Sequence, residues 1–86
     1  MEEPIMTAWV HVGLKKTVLD PQGQAIQNAL RRLGYGGIAE LRQGKLFELR
    51  LAEGVDRTAA RQQIERAARE VLTNPVIEEY SIRWEE

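Results

Sequence analysis

Near the start of the chain, Ala8, Val10, Val12 and Leu14 alternate with Trp9, His11 and Gly13, and a period of two marks a strand with two unlike faces. From Pro21 the period changes: Ile26, Ala29, Leu30 and Leu33 recur at i, i+3, i+4 and i+7 and form one apolar helical stripe. Asp20 before Pro21 is a helix start, because a carboxylate oxygen accepts orphan N–H groups and proline fits the first helical position. Gly34 closes that helix from just past its end. Two extended stretches follow, Ile38 to Arg42 and Lys45 to Ala52, parted by Gln43-Gly44, a spacing that predicts a hairpin. Asp56 starts a second helix with the stripe Ala60, Ile64, Ala67, Ala68, Val71 and Leu72. Asn74-Pro75 ends it, since proline disfavours the helical region for the residue before it. A last strand alternates Tyr80, Ile82 and Trp84 against Ser81, Arg83 and Glu85.

The order is β-α-β-β-α-β. With right-handed crossovers it predicts an α+β, ferredoxin-like two-layer sandwich, a four-stranded antiparallel sheet with two helices on one face. Its 86 residues make one domain, 1–86, in which 1–5 read as an N-terminal extension. A chain this short builds a small core and gains from association.

Gly23 lies in the first helical turn, where glycine is a poor helix former. Either another backbone or a partner approaches closely there, or the position is neutral and solvated. On the sheet, Ala8, Val10, Val12, Phe47, Leu49 and Leu51 face the helices. Trp9, His11, Leu46, Glu48 and Arg50 face away. That second face is a candidate self-association surface, against the alternative of scattered exposed apolar residues.

Composition narrows the chemistry. Twelve basic and 13 acidic residues give a net charge of −1 and no basic field for nucleic acid or a membrane surface. The absence of cysteine removes disulfides, thiolate metal sites and cysteine catalysis. The acidic beginning, Met1-Glu2-Glu3-Pro4, is unlike a signal peptide, and the expectation is a soluble cytoplasmic protein. His11 is the lone histidine, with no nucleophile or orienting carboxylate placed beside it by sequence. Gly34-Tyr35-Gly36-Gly37 lacks the spacing of a dinucleotide loop and reads as a turn. Lys15, Lys16, Arg42 and Lys45 could meet a phosphate or an acidic partner, or be solvated. The residues point to a binding or assembly module.

Leu14-Lys15 with Val18-Leu19-Asp20-Pro21-Gln22-Gly23, then Leu33-Gly34-Tyr35, Arg42-x-Gly44-Lys45 and Asn74-Pro75-Val76-Ile77-Glu78-x-Tyr80, closely resemble the PurS family from about residue 8 to residue 82. The family is the small subunit of phosphoribosylformylglycinamidine synthase, a ligase of de novo purine biosynthesis. The resemblance implies a non-catalytic subunit that binds no cofactor or metal itself and works as a homodimer or tetramer. It joins a PurL-type synthetase subunit, which uses ATP and magnesium on formylglycinamide ribonucleotide, to a PurQ-type glutaminase subunit, so that ammonia passes between them. On that basis Asp20, Pro21, Gln22, Gly23, Arg42 and Lys45 are candidate partner contacts, and Trp9, His11, Leu46 and Glu48 a candidate self-association face. Two other β-α-β-β-α-β classes compete. An ACT-like regulatory domain would bind an amino acid at a subunit interface. An acylphosphatase would need an anion loop with arginine and asparagine, which residues 13–20 lack.

Overall fold

The computed structural model describes residues 6–85, so the expected extension at 1–5 lies outside the described residues. Strand β1 (Thr7–Leu14) leads to helix α1 (Pro21–Arg32), strand β2 (Gly44–Arg50), helix α2 (Arg57–Ala67) with a π-helical turn (Ala68–Leu72), and strand β3 (Glu78–Glu85). The sheet is antiparallel with the order β2-β1-β3, so β1 is its centre. In its register Trp9 stands between Glu48 and Arg83, His11 between Leu46 and Ser81.

One face of the sheet is the core. Ala8, Val10 and Val12 from β1 are buried against Ile64 and Ala68, with Phe47, Leu49, Leu51, Leu72, Ile82 and Trp84 packed around them. These are the inward residues that period two assigns to β1 and to the two strands beside it. Each fully buried valine or isoleucine contributes about 1.5–3 kcal/mol. Asp56 caps α2, its side chain accepting the Ala59 N–H.

Two expectations are corrected. The sheet has three strands among the described residues, not four, and the core receives no side chain from α1. Both differences have one cause. Segment 38–43 does not fold back on β2, because its backbone groups are taken by α1. The Asp20 carboxylate accepts the Gln43 N–H at 2.7 Å, Gln27 Oε1 accepts the Leu41 N–H at 2.8 Å, and Arg31 Nη2 donates to the Ala39 carbonyl at 3.0 Å. The three rungs run antiparallel, 20 with 43, 27 with 41 and 31 with 39. They rise from one line of α1, as residues four and seven apart do. Helix and segment form a lobe, turned at its far end by Gly34. There φ is +96°, the Gly34 N–H donates to the Arg31 carbonyl and the Tyr35 N–H to that of Leu30. That is the Schellman pattern, in which glycine carries the left-handed residue.

The lobe leaves Ile26 and Leu33 of the α1 apolar stripe open and half-buries Ala29 and Leu30. Ile26 is 44% exposed and Leu33 74%, whereas Gly23 and Gln27 on the segment side are buried. The shape follows: the radius of gyration is 16.9 Å and the extents are 51 × 35 × 14 Å. A compact domain of this length has a radius of gyration near ~12 Å.

Candidate functional site

The runs 18–23 and 74–79 come together at one end of the sheet, where Asp20, Gln22 and Glu78 line one concavity and residue 15, just before the first run, bonds to the second. The Lys15 N–H donates to the Ile77 carbonyl at 2.9 Å, directly beyond the paired strands β1 and β3. Asn74 organises the second run: its carbonyl accepts from Ile77 and Glu78, and its side chain accepts the Val76 N–H. Glu78 in turn accepts the Asn74 N–H at 2.8 Å, and its other oxygen lies 3.5 Å from Lys45 Nζ. Lys45 thus ties β2 across β1 to the start of β3.

Asp20 organises the first run. Oδ1 accepts the Gly23 N–H at 3.0 Å, the expected helix cap, while Oδ2 accepts from Gln43, 23 residues away. The Gln43 N–H and then the Gly23 N–H hold the Asp20 carboxyl below its ordinary value of 3.8, with a lesser contribution from the Arg42 charge and against an opposing desolvation. Gln43 also donates through Nε2 to Gln22 Oε1 at 3.0 Å. Arg42 Nη2 donates to the Val18 carbonyl at 2.8 Å and to that of Lys15 at 3.2 Å, clamping the β1–α1 loop.

Gly23 now has a physical reason. A Cβ there would stand 2.1 Å from Asp20 Oδ2, 2.8 Å from its Cγ and 3.1 Å from the Gln43 nitrogen. Of the two readings left open by the sequence, close approach is the one realised, chiefly by the Asp20 carboxylate and then by the Gln43 backbone. The approaching groups belong to this chain.

Asp20, Pro21, Gln22, Gly23, Arg42 and Lys45 are therefore brought together at the neck between the sheet and the lobe, where three concavities adjoin. One of about 360 Å³ lies between the β1–α1 loop and residues 40–42. A second, about 160 Å³, holds Asp20, Gln22, Lys45 and Glu78. A third, about 320 Å³, opens on the far face of the sheet beside His11, Lys16 and Arg42. Sequence reasoning missed Gln27, Arg31 and Gln43, the side chains and amide that hold the lobe shut. Gln27 and Arg31 gave only the signal of polar residues at helical spacing, which also describes a solvated face, and Gln43 read as part of a turn.

Trp9, His11, Leu46 and Glu48 share the sheet face opposite α2. Leu46 is 62% exposed, Glu48 accepts a hydrogen bond from Arg50 Nε at 3.2 Å, and the half-buried Trp9 has an Nε1 without an acceptor. No three His, Asp or Glu side chains among the described residues converge as a metal site, and no described helix is long and apolar enough to cross a membrane.

Comparison with known proteins gives a consistent picture. The family model PurS, described as phosphoribosylformylglycinamidine (FGAM) synthase, matches residues 7–86. The phosphoribosylformylglycinamidine synthase subunit PurS of Mycobacterium leprae is 47% identical over 78 residues, covering 91% of this chain and 94% of that one. Among solved structures, PurS of Methanocaldococcus jannaschii superposes with a TM-score of 0.79 at 33% identity, over 94% of this chain and 96% of that one. A chain in the structure of PurLQS from Thermotoga maritima superposes with a TM-score of 0.84 at 31% identity, over 96% of this chain and all of that one.

Proposed function

This chain belongs to the PurS family, a subunit of phosphoribosylformylglycinamidine synthase in purine biosynthesis, and from that premise we propose that its role is assembly rather than catalysis. It holds a synthetase of the PurL type to a glutaminase of the PurQ type, so that ammonia released from glutamine reaches activated formylglycinamide ribonucleotide. ATP and magnesium are used by the complex and not by this chain. The observation that carries this reading is the unfinished packing of the monomer. A radius of gyration of 16.9 Å and an α1 stripe with Ile26 and Leu33 open describe a part shaped to be completed by other chains. The likeness to a chain of the PurLQS structure supports the same partners.

Two surfaces are available for two kinds of contact. The α1 stripe and the open sheet face with Trp9 and Leu46 suit like chains, in a homodimer or tetramer, and in that assembly segment 38–42 can supply a fourth strand to a sheet. The polar end built by Asp20, Gln22, Arg42 and Lys45 suits the synthetase. Gly23 supports that end from within. The test is product formation by the cognate synthetase and glutaminase with either glutamine or ammonium as nitrogen source. Glutamine-driven turnover that requires this chain, beside ammonium-driven turnover that depends on it less, is the expected result. Undiminished glutamine-driven turnover without it would remove the assembly role.

A further inference from the structure

We propose that the concavity on the far sheet face, at the loop end of β1, binds the phosphate group of a small phosphorylated ligand. The site borders both assembly surfaces, sharing Arg42 with the polar end and His11 with the open sheet face, and its ligand binding can be tested on this chain alone. Its floor is a pair of glycines facing each other across the ladder, Gly13 of β1 and Gly44 of β2. Glycine weakens a strand interior and marks places where a backbone must be approached closely. Here the cause is visible. A Cβ on Gly44 would stand 3.0 Å from His11 Nε2 and 2.8 Å from the Val12 carbonyl oxygen, and one on Gly13 would meet His11 Cε1 at 3.6 Å. The imidazole therefore lies back over the two glycines, toward the loop end of the sheet, and borders the concavity of about 320 Å³.

Lys16 and Arg42 line the same space. Lys16 makes no ion pair among the described residues, and Arg42 makes none within 4.0 Å, although its charge is felt by the Asp20 carboxyl. Arg42 is held in place by the two carbonyls that Nη2 reaches, which fixes the guanidinium plane while Nη1 and Nε keep their N–H groups for another acceptor. The Ser81 hydroxyl, paired with His11 on the same face, completes the wall with a neutral donor. One acid, Glu79, lines the site. A held guanidinium, an exposed lysine, an imidazole and one hydroxyl around a volume larger than a phosphate group match a compact anion carrying a small polar body. A phosphate offers several acceptor oxygens to converging charged donors, and charge-assisted bonds of this kind are the strong ones.

The experiment is an NMR titration of the ¹⁵N-labelled full chain at fixed ionic strength, with inorganic phosphate and with ribose 5-phosphate as probes and acetate as control. Saturable shifts confined to the amides of Gly13, Lys16, Gly44 and Ser81 are expected, with ribose 5-phosphate binding more tightly than phosphate. Lys16 is exposed, so Lys16→Gln leaves the fold intact and should weaken binding roughly tenfold, while Lys16→Arg retains it. Glu79→Gln should tighten it. Shifts spread over all lysines and arginines, an equal response to acetate, or a Lys16→Gln variant that binds as wild type would each overturn the proposal. Neither result bears on whether glutamine-driven turnover of the complex requires this chain, so the phosphate site and the assembly role fail separately.

Discussion

Replacing Gly23 by alanine tests the account of the helix start most sharply, because the sign of the effect depends on Asp20. In an unobstructed helix the change would stabilise by up to about 1 kcal/mol. Here the new methyl would stand 2.1 Å from Asp20 Oδ2, so the carboxylate must retreat by about 0.9 Å to reach even 3.0 Å. That movement breaks the bond to Gln43, now 2.7 Å, and spoils the cap bond to Gly23 itself. Gly23→Ala should therefore destabilise the protein, the loss outweighing the gain in helix propensity. In an Asp20→Ala background the carboxylate obstruction is gone and the Gln43 nitrogen becomes the nearest group, at 3.1 Å, a distance that a small shift relieves. There the same alanine should be neutral or stabilising. Urea unfolding of the four variants at one protein concentration gives the cycle, provided m is unchanged among them. A stabilising Gly23→Ala in the wild-type background, or an equal effect in both, would refute the reasoning.

Other outcomes follow from the same contacts. The Asp20 carboxyl is held below 3.8 in the folded chain, so between the folded and unfolded values the unfolded state binds more protons and stability rises with pH. Its contribution is complete above the unfolded value and is lost as pH falls below about 3.8. Asp20→Asn should flatten that part of an acid-unfolding profile followed by circular dichroism. Ile64→Ala removes a side chain that is 7% exposed in the core and should cost about 2–5 kcal/mol in urea unfolding. Gln27→Ala leaves the Leu41 N–H without its acceptor, and hydrogen exchange at that amide should speed up while amides of β1 keep their protection. Ile26→Asp with Leu33→Asp places charge on the open stripe; the variant chain should remain folded yet sediment as a smaller species than wild type.

The elements that rest on a local rule were legible in the chain. Asp20-Pro21 and Asp56 do cap helices, Gly34 does end one, and period two does choose the buried residues of β1. The lobe was not legible. The stretch Ile38 to Arg42 with Gln43-Gly44 carries a hairpin spacing, but a hairpin also needs free backbone groups, and Asp20, Gln27 and Arg31 take them. Asp20 read as a cap and Gln27 and Arg31 carried no reading at all, because spacing on a helix does not say what lies alongside. The stripe of α1 was likewise read as core, since amphipathicity reports that a face is apolar and not which chain covers it. At the candidate site the punctuation was visible from sequence, while the meeting of residue 15 with 77 and of Lys45 with Glu78 depended on the order of strands.

The antiparallel rungs between α1 and segment 38–43 have a consequence for how the molecule opens. Tied at its neck by Asp20 and Arg42 and closed at its tip by Gly34, the lobe holds its own hydrogen bonds and lends none of its apolar side chains to the sheet. It is a cooperative unit of its own, able to fray or swing while β1, β2, β3 and α2 stay intact. A partner seated on the lobe can draw on that freedom at the expense of a few neck bonds, without melting the body that carries it.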